Sequence, residues 1–192
     1  MSEYDESNNS SLSTSISMPG ELSRNYINEK LLKKICILLE ALIDLNPVRK
    51  SKKEMINKTI FDLKRLPLIS LYDYLYRIIK YTRINDNTLI NALIYIDRIH
   101  ENKFIITHYN IYKLIFIAIV LAAKFMEDNC LNSKIYSKIG GITIKEFEIL
   151  EIKFCLFINY RLYIKKDLFD KYYLNINNDY VFNNIKEELN II

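Results

Sequence analysis

Glycine and proline are nearly absent, with three of each among 192 residues. Both punctuate chains, so long stretches without them exclude a turn-rich β fold and favour helices. Cysteine is scarce too. Cys36, Cys130 and Cys155 are odd in number, widely spaced and never in a Cys-x-x-Cys pair. That excludes a disulfide framework and reads as free thiols in a reducing, intracellular compartment, nucleus or cytoplasm. The two histidines, His100 and His108, have no carboxylate cluster between them, so no metal site is expected. A bilayer-spanning helix needs about 20 apolar residues, and the apolar run at 114–123 holds ten. The N-terminus is acidic and rich in Ser and Asn, unlike a secretory signal. There is no Gly-rich phosphate loop, no activated Ser or Cys near a His, and no carboxylate pair with an evident cleft. No catalytic residue, cofactor or small-molecule substrate is therefore expected.

Half of the residues are hydrophobic, enough to bury a sizeable core in one domain of about 150 residues with extensions. Net charge is +4, and the first twenty residues carry Glu3, Asp5 and Glu6 without a Lys or Arg. The remainder is mildly basic, without a nucleic-acid motif. The basic stretch Arg49-Lys-Ser-Lys-Lys53 reads as a solvated loop in preference to a localisation signal or acidic-partner patch.

Residues 1–20 are polar, low in complexity and closed by Pro19-Gly20, the composition of a disordered tail. A helical pattern covers 22–45, with Leu31, Ile35, Leu38, Leu39, Leu42 and Ile43 on one side. It stops near Asn46-Pro47. A short amphipathic piece with Ile56, Ile60, Phe61 and Leu63 leads to Pro67. Ser70-Leu-Tyr-Asp73 is a capping-box pattern opening a helix to about Thr82. Asn85 caps the next, to Glu101, and Thr107 is placed to cap a long apolar helix ending near Met126. Asn132 or Ser133 starts a short helix to Ile139, which Gly140-Gly141 ends. Thr143-Ile-Lys-Glu146 opens a helix to about Asn159. Two short helices are expected at 166–173 and 181–190. The 107–126 helix is apolar almost all round from Leu114, so other helices must surround it.

One charge is conspicuous. The run at 114–123 is followed at once by Lys124-Phe125. A cation at the end of an apolar helix must reach solvent, an internal partner or another molecule. Glu151 shares a helical stripe with Phe147 and Phe154. A cation and an anion, each set in apolar surface on a different helix, read as parts of a docking surface.

Five stretches carry a resemblance. They are Pro67-Leu-Ile-Ser-Leu-Tyr-Asp-Tyr-Leu-Tyr-Arg-Ile-Ile79, Leu93-Ile-Tyr-Ile-Asp-Arg-Ile99, Leu121-Ala-Ala-Lys-Phe-Met-Glu-Asp128 and Tyr136-Ser-Lys-Ile-Gly-Gly-Ile142 with Glu146 and Leu150-Glu151, closed by Tyr160-Arg-Leu162. In this order they resemble the cyclin box of the P-type cyclins, related to the phosphate-regulation cyclins of fungi, over residues 30–165. The resemblance implies an all-α fold: a single five-helix cyclin box at 67–163, an N-terminal helix and basic connector at 21–66 with the helix packed on the box, and short helices in a C-terminal extension at 164–192.

The resemblance also implies a function. The chain would be a non-catalytic regulatory subunit forming a heterodimer with a cyclin-dependent serine/threonine protein kinase. Lys124 and Glu151 match the pair that reaches the kinase small-lobe helix, and Leu121, Phe125, Cys155 and Tyr160 match the apolar residues packed on it. Asp97, spaced to face inward from Ile90, Leu93 and Ile94, matches an aspartate that many cyclins pair with an arginine. Leu68 stands at that arginine's place, so Arg77 becomes the expected structural partner. The substrate-docking cyclins also carry a Met-Arg-Ala-Ile-Leu motif and a Trp, where this chain has Pro67-Leu-Ile-Ser-Leu71 and Tyr74. The competing reading is a cyclin-fold scaffold or adaptor in a transcription-related complex. No nucleic-acid or membrane partner is expected.

Because residues 1–20 lack apolar periodicity, their deletion is predicted to leave the melting temperature nearly unchanged. A large drop in a thermal scan would show that the tail packs on the domain.

Overall fold

The computed structural model describes residues 27–45 and 59–188, and among them there are eight helices and no strand. Helix α1 spans Glu29–Asp44, α2 Leu71–Thr82, α3 Asp86–Glu101 and α4 Ile111–Met126. Helix α5 spans Ser133–Gly140, α6 Ile144–Phe157, α7 Lys166–Asn177 and α8 Asp179–Glu188. The proposed tail at 1–20 and the basic stretch at 49–53 lie outside the described residues.

Four of the expected caps form as local chemistry dictates. Ser70 Oγ accepts the Asp73 N–H at 3.0 Å and donates to the Asp73 carboxylate at 2.6 Å. Asn85, Asn132 and Thr143 accept the N–H groups of Thr88, Ile135 and Glu146, each satisfying a donor with no partner inside its helix. Asn28 does the same for α1 through Leu31.

The start of α4 differs from the expectation. Thr107 does not cap it, because residues 107–110 close on themselves first. The Asn110 side chain accepts the Thr107 N–H at 2.8 Å and donates to the Ile105 carbonyl at 3.0 Å. Asn110 is itself buried, so the helix proper begins at Ile111.

From Leu114 to Ala123 every residue of α4 is buried. It packs along α3 and against α2, α5 and α6. Gly140 permits one of these contacts, since a Cβ there would collide with the Phe116 ring. Gly141 serves differently: its φ of 71° ends α5 in the left-handed conformation.

Helix α1 docks on the box through α2 and is covered on its other side by α7. Leu31, Leu32, Ile35, Leu39 and Ile43 are buried. Cys36 joins them, its thiol pushed up to about 12 by burial and then by Glu40, so it behaves as an inert apolar residue. Lys34 is a buried cation with partners from the far end of the chain. It donates to the Ile176 carbonyl at 2.5 Å, pairs with Asp179 at 2.7 Å and lies over the Phe182 ring. In the connector, Phe61 is fully buried against Phe104, Phe154 and Phe157, while Ile60 is exposed; Ile56 lies outside the described residues.

Leu39 has no exposed surface. A Leu39→Asp change removes roughly 1.5–3 kcal/mol of burial and adds an unpaired carboxylate. Urea titration is predicted to show severe destabilisation. A chain begun at Pro67 that melts like the full chain would show instead that α1 is an accessory.

Candidate functional site

Lys124 and Glu151 are not lone charges. Lys124 closes the last turn of α4, Glu151 lies midway along α6, and Nζ meets Oε1 at 2.6 Å. The ammonium also sits 5.2 Å from the centre of the Phe147 ring, a cation–π contact that adds to the pair. The lysine side chain keeps 33% of its exposure and the glutamate 17%. An ammonium has three N–H donors and a carboxylate about four acceptor positions. Each group therefore holds its partner and keeps capacity for another molecule.

Apolar side chains surround these two positions in sequence and stay in solvent. Phe125 and Met126 come directly after the lysine and are 47% and 54% exposed. On α6, Ile152 is 59% and Leu156 46% exposed. Cys155 is half-buried, and both Glu151 and Lys124 act on its thiol, which burial raises most. Tyr160 is exposed beyond the helix. Leu121 is almost fully buried, so it backs the surface from within. Met126, Ile152 and Leu156 were not anticipated. Their signal was present: α6 carries apolar residues on both faces, and only one face can be buried against α4.

The chain beyond α6 is tightly held. Tyr160 N–H donates to the Cys155 carbonyl at 2.8 Å and Asn159 N–H to Leu156 at 3.0 Å, the paired bonds of a Schellman terminus. Asn159 and Tyr160 both have positive φ, 52° and 54°. The left-handed conformation costs a residue with a Cβ roughly 1–2 kcal/mol. Helix α3 grips the segment 161–163 just beyond them. Arg98 donates to the carbonyls of Arg161 and Tyr163, and Tyr95 Oη donates to Leu162 at 2.7 Å. Asn102, at the end of α3, donates to the Phe157 carbonyl at 2.7 Å.

Asp97 faces a different neighbour from the one expected. Its carboxylate accepts from the Tyr172 hydroxyl of α7 at 2.6 Å, while Arg77 is exposed on α2. Asp97 and Tyr172 border a cavity of about 220 Å³ walled by Leu38, Leu42, Leu93, Ile176 and Phe182. Burial raises the Asp97 carboxyl above the usual carboxylate range, against the Tyr172 hydrogen bond and His100, with Glu101 adding to the rise. Tyr74 is buried beside Tyr112, and Leu68 is fully exposed. Among the described residues there is no group of three or more His, Cys, Asp or Glu that could hold a metal ion. No helix among them is long and apolar enough to cross a membrane.

Comparison with known proteins gives one consistent result. The family model described as Cyclin matches residues 7–162. Cyclin-U4-1 of Arabidopsis thaliana is 28% identical over 156 residues, covering 80% of this chain and 77% of that protein. PHO85 cyclin-like protein psl1 of Schizosaccharomyces pombe is 34% identical over 158 residues, covering 75% and 65%. Cyclin-P3-1 of Oryza sativa subsp. japonica is 29% identical over 161 residues, covering 81% and 68%. The matches span about half to three quarters of the length of these and other curated relatives.

The raised Asp97 carboxyl has a measurable sign. The folded state disfavours its ionised form, so wild-type stability falls as pH rises from the ordinary carboxylate value of 3.8 through the raised one. Asn at this position still accepts from Tyr172 and never ionises. Asp97→Asn is therefore predicted to gain melting temperature relative to wild type as pH rises above 3.8. A difference that stays constant with pH would sink the assignment.

Proposed function

The chain belongs to the cyclin family, and we propose that it forms a heterodimer with a cyclin-dependent serine/threonine protein kinase, inside the cell, and activates it. The observation that carries this reading is the Lys124–Glu151 pair set among the exposed Phe125, Met126, Ile152, Leu156 and Tyr160. A cluster of apolar residues around a polar pair is the anatomy of a docking site. The docking unit is the box at 67–163, braced by the segments on either side.

The mechanism needs no chemistry from this chain. The apolar residues pack on the kinase small-lobe helix that carries the active-site glutamate. Lys124 keeps N–H groups for that helix's carbonyls, and Glu151 keeps acceptor positions for its N–H groups. Such bonds are charge-assisted and hold the helix in one orientation. The kinase glutamate then pairs with its ATP-positioning lysine, the arrangement phosphoryl transfer requires. Activation comes from preference: a roughly hundredfold tighter grip on the inward helix than on the swung-out one shifts that equilibrium by the same factor. The 34% identity to a PHO85 cyclin-like protein supports this partner class.

Co-purification on the full chain with mass spectrometry tests the reading, together with a kinase assay with and without it. One protein kinase in stoichiometric amount, more active in the complex, is the expected result. Recovery of DNA-bound proteins without a kinase would favour the scaffold reading.

Lys124→Ala and Glu151→Ala are each predicted to weaken kinase binding by about 1.5–3 kcal/mol, as for hydrogen bonds to charged groups. Their pair is partly solvated, so each change should move the melting temperature by only a few degrees. Titration calorimetry giving wild-type affinity for both variants would overturn the interface.

A further inference from the structure

Four non-glycine residues among those described have positive φ: Arg83, Lys103, Asn159 and Tyr160. Arg83, Lys103 and Asn159 each come just after a helix and close its last carbonyls, with N–H bonds to Ile79, His100 and Leu156. Tyr160 is a second left-handed residue in succession, and the Arg161 N–H donates to the Ile158 carbonyl at 3.0 Å across the two, closing a type I′ turn. Glycine is favoured at the second central position of that turn, so a tyrosine there carries strain, and its φ sets both the direction of its ring and the course of the chain beyond. That chain is where α3 takes hold, gripping the carbonyls of Arg161, Leu162 and Tyr163 with Arg98 and Tyr95. Arg98 is 9% exposed, and its planar guanidinium spans two of the three carbonyls, which an ammonium cannot do with fixed geometry.

We propose that Arg98 is a positioning residue for kinase docking: by holding Arg161 and Tyr163 it keeps Tyr160 in its left-handed conformation and presents the tyrosine ring as a rigid anchor. The proposal rests on the reading that this face meets a kinase. Tyr160 is 63% exposed, so nothing in the free chain uses most of its surface. Backbone strain persists only where the surroundings over-determine it, and it gathers at functional sites. Fixing an aromatic anchor before contact removes the cost of ordering it on contact. Arg98 acts through the loop, since it is too buried to touch a partner broadly.

The test is a double-mutant cycle on the full chain against the kinase it captures, with Arg98→Met, Tyr160→Gly and both together. Arg98→Met is expected to weaken binding roughly tenfold in the wild-type background and less than about twofold when residue 160 is glycine. Hydrogen exchange on the free chain supplies a second readout. Arg98→Met should speed exchange at the Arg161 and Leu162 amides, which donate to Ile158 and Tyr160 across the turn, and leave the α4 amides protected. Tyr160→Gly removes the strain with the ring, so it should bind more weakly while melting no lower than wild type. If Arg98→Met does not fold, Arg98→Lys keeps the charge without the planar fork and carries the same expectations. Equal losses in both backgrounds, or unchanged exchange at those amides, overturn the proposal alone. Failure of the wild-type chain to capture any kinase overturns the functional reading and this proposal with it.

Discussion

Everything in this fold is arranged around a helix that has no polar face. From Leu114 to Ala123, α4 offers only apolar side chains, and all are buried. Each fully buried Leu, Ile or Phe contributes about 1.5–3 kcal/mol relative to exposure, so no arrangement that leaves one side open can compete. Helices α2, α3, α5 and α6 close around it. The polar residues that end α4 then emerge together. Lys124 turns to Glu151, and Glu127 accepts from Thr88 and from the Asn85 N–H. The end of the most apolar helix thus becomes the polar centre of the surface assigned to docking.

How much was legible depends on how local each cause is. The starts of α2, α3, α5 and α6 could be read because Ser70, Asn85, Asn132 and Thr143 bond to N–H groups three residues on. The start of α4 is not legible in this way: Thr107 and Asn110 are both capping residues by type, yet neither side chain caps the helix, because Asn110 turns back to Thr107 and to the Ile105 carbonyl. Asp97 shows the same limit. Its inward orientation could be read from spacing on α3, but its partner, Tyr172, lies 75 residues away, where no periodicity points.

The site was legible in its parts and not in its relation. Lys124 and Glu151 each stood out as a charge among apolar residues. That they meet at 2.6 Å depends on how α6 lies across α4, and 27 residues of chain leave that open. Ile152 and Leu156 are exposed although apolar, and residue type alone does not separate a docking surface from a core. The grip of Arg98 on the loop beyond α6 was hidden, since backbone carbonyls carry no trace in side-chain sequence.

The placement of Lys34 has a consequence in time. Its hydrogen-bond acceptor, the Ile176 carbonyl, is made 142 residues later. At ribosomal speeds of about 5–20 residues per second, that gap lasts roughly 7–30 s. Throughout it, α1 has been synthesised but lacks the lid that covers its outer side. The nascent chain therefore carries an uncovered apolar stripe, with the Lys34 ammonium still hydrated, the kind of surface that chaperones hold. The outer cover of the first helix thus arrives last, and until it does that helix stands half finished.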